Sequence, residues 1–213
     1  MMLEKNIIVI DDFHDNPSEV RQFALSREYP TPKNHTYPGL NSTRSLDGIY
    51  YNDKMHDRIQ SAIGRTVIPQ SPDKTGGDCG YFRISLAADS FEQDIHVDPG
   101  SDWGGVLFLN IGSQCDPESG TSFWRHKKFG SERVPMTPEE GKIYGYSDYE
   151  EIRSNIIYGD GLDRSLWDRY CFVPMKYNRL VLFSPYLWHS HGTNFGDSIE
   201  NGRLVQLFFY SYG

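Results

Sequence analysis

The sequence predicts a mainly β chain, an antiparallel sandwich or barrel with helices towards its N-terminal end. Three observations carry this. From Tyr81 onward short apolar and aromatic runs recur, many of them separated by Gly, Pro, Asn or Asp. Ahead of them, two segments space their apolar residues at helical intervals instead. Aromatic residues make up 14% of the chain, and these favour strands.

The elements follow in order. Ile7-Ile8-Val9-Ile10 is a β-branched run and reads as a first strand. Asp15-Asn16-Pro17-Ser18-Glu19 reads as a helix start: Pro costs nothing where the amide has no intrahelical partner, and an acid there meets the positive end of the helix dipole. Val20, Phe23 and Ala24 follow at helical spacing. Residues 30 to 48, rich in Pro, Gly, Asn, Ser and Thr, read as a loop. A second helix is expected over 53 to 64, with Met55, Ile59, Ala62 and Ile63 as its apolar stripe. Both stripes read as core packing. Strands are then expected at Tyr81 to Ala87, Ile95 to Asp98, Val106 to Asn110, Thr121 to Trp124, Leu180 to Phe183, Leu187 to His189 and Leu204 to Tyr210. Residues 130 to 177 interrupt the series with a long connection, mixed in charge and rich in Tyr, Asp and Arg. A connection of that length inside a small β domain is usually functional or disordered.

Composition bounds the rest. At 213 residues the chain fits one domain, 1–213, with 1–65 as the N-terminal strand and supporting helices and 80–212 as the β core. A chain of this size buries roughly 70% of the surface it exposes when unfolded, so it needs neither disulfides nor an obligate partner. The formal net charge is −8 and the basic residues are scattered, which argues against nucleic acid or an anionic membrane as the partner. Cys79, Cys115 and Cys171 form no CxxC pair, so they give neither a disulfide framework nor a zinc knuckle. They read as reduced thiols in a cytoplasmic protein. The first apolar run is too short for a signal peptide, and no stretch reaches the ~20 apolar residues of a membrane span.

Chemistry concentrates in Asp94-Ile95-His96-Val97-Asp98. Strand residues two apart share a face, so His96 and Asp98 would present an imidazole and a carboxylate side by side. A second imidazole on a neighbouring strand would complete a two-His, one-carboxylate face that leaves three octahedral positions of an iron(II) open. His189 ends the apolar stretch Leu180 to Trp188, and Arg203 opens the strand after it. A guanidinium there can grip a carboxylate bidentately. An HxD alone is weak; HxD, a distal His and a following Arg together are hard to produce by chance.

In these residues the sequence resembles the 2-oxoglutarate/Fe(II)-dependent oxygenases, most of all their prolyl-hydroxylase-like branch. His96-Val97-Asp98 is similar to the HxD of that family, and Trp103 to Asn110 to the strand that follows it. Ser119-Gly120-Thr121-Ser122-Phe123 resembles its Gly-Gly-Thr/Glu-x-Phe segment, and Asn178 to His189 the strand leading to the distal ligand. The match runs in order over about 80 to 212, and the opening strand-helix also looks like that of the family. The resemblance implies a double-stranded β-helix, or jelly roll, with iron(II) held by His96, Asp98 and His189. It also implies that Arg203 binds the distal carboxylate of 2-oxoglutarate, and that dioxygen is consumed.

Two departures bear on the site. Phe108 stands where many members place a Tyr whose hydroxyl also touches that carboxylate; Phe cannot donate, so either the hydroxyl comes from elsewhere, with Tyr81 the candidate, or a water fills in. His191, two residues beyond His189, is the alternative distal ligand, or a neighbouring or substrate contact. Because Asp98 keeps the carboxylate that related halogenases vacate, hydroxylation or desaturation is expected. The substrate is expected to be a small amino acid or natural-product intermediate, with a peptide or protein side chain as the alternative. A cupin-type metal jelly roll without 2-oxoglutarate and a non-catalytic module are the readings from other classes. Residues 130 to 177 would then cap the mouth of the barrel and face the substrate. Of the other histidines, His14, His35 and His56 read as surface residues and His126 as solvent-exposed or on the active-site rim. Trp103, Trp124 and Trp188 read as core.

Overall fold

The computed structural model describes residues 6–31, 37–43, 50–70, 79–90 and 93–213. His35 and part of the expected 30–48 loop lie outside them. Strand β1 (Ile7–Ile10) and helix α1 (Pro17–Leu25) fall where local signals put them, with Asn16 at the N-cap and Pro17 in the first turn. Within the expected loop, β2 (Leu40–Asn41) adds a short edge pairing. Helix α2 (Asp53–Ile63) starts at Asn52, whose side chain accepts from the Met55 amide, and stops at Gly64 with φ +80°, a conformation that glycine alone adopts freely.

A large antiparallel sheet follows from β3 (Val67–Pro69), β4 (Phe82–Ser85), β5 (Trp103–Phe108), β8 (Leu180–Phe183) and β10 (Arg203–Tyr212). Its order is β1-β8-β5-β10-β4-β2, with β3 on the far half of β10. The small sheet has the order β7-β6-β9, from β6 (Thr121–His126), β7 (Trp167–Val173) and β9 (His189–His191).

Period-two alternation sorts the side chains into layers. On β8, Leu180 and Leu182 face α1 and α2, where they meet Val20, Ala24, Met55 and Ile59; Val181 and Phe183 face the small sheet. On β10, Leu204, Phe208 and Tyr210 take the helix side, while Val205 and Leu207 meet Phe123 and Val173 between the sheets. β8 is therefore apolar on both faces, and β10 is so apart from Arg203, Gln206 and Ser211, with each fully buried Leu or Phe contributing roughly 1.5–3 kcal/mol. A third cluster covers the outer face of the small sheet, where Ile152, Ile156 and Trp167 pack on Ile95, Val97, Trp124 and Trp188.

Trp103, Trp124 and Trp188 are core residues, as expected. His14 and His126 are not surface residues. His14 is buried with its Nε2 3.0 Å from Gln206 Oε1, and burial pushes its imidazole below the ordinary range. His126 is buried between the rings of Phe129 and Trp167, with its Nε2 3.0 Å from Asp160. In each case a polar sequence neighbourhood hid a partner supplied from a distant segment. Cys79, Cys115 and Cys171 form no disulfide. Among the described residues no helix is long and apolar enough to cross a membrane.

Candidate metal centre

The HxD segment is not a regular strand. His96 makes a single bridge to His189, with reciprocal amide-to-carbonyl bonds of 2.9 and 3.0 Å, and Pro99 has no N–H with which to extend the ladder. The alternation of faces survives all the same. Ile95 and Val97 are buried in the outer cluster, so His96 and Asp98 turn inward, between the sheets. His189 reaches the same place from the start of β9.

Three donor atoms meet there. His189 Nε2 lies 3.3 Å from Asp98 Oδ2, His96 Nε2 lies 3.8 Å from Asp98 Oδ1, and the whole set falls within 4.8 Å. Each ring is held from behind: His96 Nδ1 donates to the Asp94 carbonyl and His189 Nδ1 to the Leu187 carbonyl, both at 2.8 Å. A carbonyl only accepts, so each Nδ1 is the donor, and on metal binding each Nε2 would give up any proton it shares with Asp98 and offer its lone pair instead. Burial pushes the His96 imidazole down, and the neighbouring His189 adds to this. Burial alone would raise the Asp98 carboxyl, but the His189 hydrogen bond and the charge of His96 hold it well below the usual carboxylate range. A neutral imidazole and an ionised carboxylate are the forms that bind a divalent ion. Bonds of ~2.1 Å would place adjacent donors roughly 3 Å apart, close to what these residues already offer.

Arg203, the first residue of β10, shares the cavity, which has a volume of about 610 Å³. It is 4% exposed. Its Nε donates to the Ser119 carbonyl at 3.1 Å and its guanidinium lies 5.7 Å from the centre of the Phe108 ring. The neighbouring residue 120 is glycine because the chain there lies against the end of β7: a Cβ would sit 2.0 Å from the Val173 carbonyl oxygen. No carboxylate among the described residues pairs with Arg203. Burial, and then the charge of Arg83, push it down to about 10. A buried cation without a counter-charge is costly, so the cavity calls for an anion.

His96, Asp98, His189, Arg203 and Tyr81 thus all line one cavity. Phe108 lies in the core beneath Arg203. His191 lines the cavity too but is outside the converging trio. Its Nδ1 donates to the Gly192 carbonyl at 2.6 Å, and burial followed by the charge of Arg203 pushes its imidazole down to about 4. The sequence reading missed Arg83, which also lines the cavity. The signal was present: Arg83 stands two residues from Tyr81 in a strand, on the same face.

The expected cap is corrected. No residue of 130 to 177 lines this cavity. That stretch contains α3 (Pro138–Ile143), α4 (Tyr149–Ile152) and, at its end, β7, an edge strand of the small sheet. It packs on the outer face of that sheet because its apolar residues, Ile152, Ile156, Ile157 and Trp167, find Trp124 and Trp188 there. It does line a neighbouring cavity of about 540 Å³ that shares Pro99 with the first. Its Arg164 forks onto the buried Asp94, with Nε–Oδ2 at 2.6 Å and Nη2–Oδ1 at 2.9 Å.

Asp94 in turn orients His96 through its carbonyl, so Arg164 is a positioning residue for the trio. Arg164→Gln should speed amide exchange at His96 and destabilise the protein by about 1–3 kcal/mol, less than the ~3–5 kcal/mol of a fully buried pair because Arg164 is half in solvent. Unchanged exchange at His96 would show that the fork is only a surface contact.

Solved structures share this fold. HygX from Streptomyces hygroscopicus, crystallised with nickel and 2-oxoglutarate bound, has a TM-score of 0.54 at 13% identity, with 98% of this chain and 84% of that chain covered. The non-heme alpha-ketoglutarate-dependent epimerase SnoN from nogalamycin biosynthesis has a TM-score of 0.51 at 13% identity, with 98% and 79% covered. The architecture is therefore one that this chain shares with both of these solved structures. By sequence the chain belongs to the family described as "Family of unknown function (DUF6445)", which matches residues 2–210. A search of curated proteins finds no match.

Proposed function

We propose that the chain is a non-haem iron(II), 2-oxoglutarate-dependent oxygenase on a double-stranded β-helix, hydroxylating an unactivated C–H bond of a small amino acid or natural-product-like molecule. One observation carries the reading: three metal-ligating atoms converge within 4.8 Å, in the same cavity as a buried arginine that no described carboxylate neutralises. A metal-only cupin would have no use for that arginine. The fold shared with HygX and SnoN supports the class. The strand order, in which the large and small sheets face each other with His96 bridged to His189, fits a jelly roll. A cavity of about 610 Å³ is the size that small molecules occupy.

His96 Nε2, the Asp98 carboxylate and His189 Nε2 would hold iron(II) on one face and leave the opposite face open. Bound iron would couple the oxidative decarboxylation of 2-oxoglutarate by dioxygen, giving succinate and carbon dioxide, to oxidation of the substrate C–H bond. Arg203 orients the cosubstrate by its distal carboxylate, with Phe108 stacked beneath and Tyr81 as the hydroxyl beside it. Phe183, Val205 and Leu207 wall the cavity and keep water from the reacting atoms.

The test measures succinate from 2-oxoglutarate, with and without iron(II), across amino acids, peptides and metabolite extracts. The expected result is iron-dependent succinate with a product one oxygen atom heavier; a product of unchanged mass would instead indicate isomerisation, the outcome named for SnoN. Iron binding with no 2-oxoglutarate consumption under any condition would sink the oxygenase reading.

A further inference from the structure

The cavity contains a second guanidinium that the proposed cosubstrate does not use. Arg83 lies on β4 directly across from Val205 on β10, so it shares the cavity face with Tyr81 and Arg203. Its Nε donates to Asn41 Oδ1 at 2.7 Å, and its guanidinium lies 3.9 Å from the centre of the Tyr37 ring. Asn41 comes from the edge strand β2. Held by a hydrogen bond at Nε and by a ring, the group has a fixed plane, and no described residue takes its two terminal nitrogens. These form the end-on fork that receives a carboxylate. Arg203 is deeply buried, whereas Arg83 is only half-buried.

Charge counting reaches the same place. A divalent ion and a dianionic cosubstrate cancel each other. Of the described residues lining the cavity, Asp98 offsets one of the two guanidiniums, and one positive charge is left. The cavity, at about 610 Å³, has room for a second small molecule beside a five-carbon diacid.

We propose that Arg83 is the specificity-determining residue of this cavity and that the substrate is a small molecule bearing a carboxylate, held end-on by its terminal nitrogens. This rests on the oxygenase reading and deepens it: the anion anchors on Arg83 while the rest of the molecule reaches towards the trio. Asn41 and Tyr37 set the plane of the guanidinium and so the direction in which the substrate extends.

The experiment is anaerobic calorimetry on protein saturated with iron(II) and 2-oxoglutarate. The probes are N-acetylated amino acids, each paired with its primary amide, so that only the charge differs. Wild-type protein should bind the preferred acids at least about tenfold more tightly than their amides. Arg83→Gln should erase that preference and Arg83→Lys should keep part of it, because a point charge remains without the fork. Affinity for 2-oxoglutarate should stay within about twofold in both variants, which also shows that the cavity is intact. Acids binding no tighter than amides, neither binding included, overturns the proposal, as does a preference that survives Arg83→Gln. A fall in 2-oxoglutarate affinity in both variants overturns it differently, by giving Arg83 to the cosubstrate. Failure of the wild type to take up iron(II) or 2-oxoglutarate appears before any acid is added, and sinks the functional reading with it.

Discussion

Replacing His189 by alanine is expected to abolish tight iron(II) binding, whereas replacing His191 leaves it nearly intact. The two imidazoles lie on one strand, two residues apart, and both face the cavity, so in the sequence only the family resemblance prefers His189. The geometry supports that preference. His189 Nε2 stands 3.3 Å from Asp98, its Nδ1 is committed to the Leu187 carbonyl, and it is paired through the backbone with His96. His191 stands outside that cluster, within the field of Arg203. Loss of an outer partner of a metal ligand typically costs 10–100-fold in affinity, and loss of the ligand itself should cost more than roughly that range. The measurement is an anaerobic iron(II) titration against a competing chelator. Retained affinity in His189→Ala together with loss in His191→Ala would reverse the assignment.

Arg203→Leu is expected to separate cosubstrate binding from metal binding. Truncating one partner of a buried, hydrogen-bonded charge pair typically costs ~2–5 kcal/mol, so 2-oxoglutarate affinity should fall by tenfold or far more, since about 1.4 kcal/mol is a factor of ten. The iron titration should hardly change, because Arg203 touches none of the three ligands. Leucine is tolerable at that place: Val205 and Leu207 already form the adjoining wall, and removing an uncompensated buried cation is no burden to the fold. Arg203→Lys separates charge from shape, since lysine keeps the charge but loses the planar fork and its contact with Phe108. An unchanged 2-oxoglutarate affinity in Arg203→Leu would falsify the assignment.

The parts of this fold that were legible in the sequence are those where one short segment carries its own signal. Pro17 marks the first turn of α1, Met55 and Ile59 mark the buried face of α2, and Leu180 to Phe183 is a four-residue apolar run. β7 was hidden because it is an edge strand: Asp168 and Arg169 face water, and the segment reads as polar connection. β3 and β2 were hidden by brevity. At the site, His96, Asp98, His189 and Arg203 could be nominated through their order along the chain. The cap assigned to 130–177 failed for a different reason. Length and aromatic content say that a segment is ordered against something, but not against which face of a sheet. Arg83 was overlooked because its place two residues from Tyr81 is a weak signal by itself, which gains weight only once Tyr37 and Asn41 are seen beside it.

The placing of β10 has a consequence for how the chain comes to be folded. β10 separates β4 from β5 in the large sheet, yet it follows both of them in the chain. While a ribosome is still delivering residues 110 to 200, each of these strands has an open edge where β10 belongs, and they have no direct pairing with each other. Unpaired edges of apolar strands invite association with other chains, and contacts this distant in sequence form slowly. The nascent protein therefore passes through a vulnerable interval that ends only when Arg203–Tyr212 emerges and inserts. Its yield in a cell should depend on translation speed and on chaperones that shield those two edges, even where the finished protein is stable.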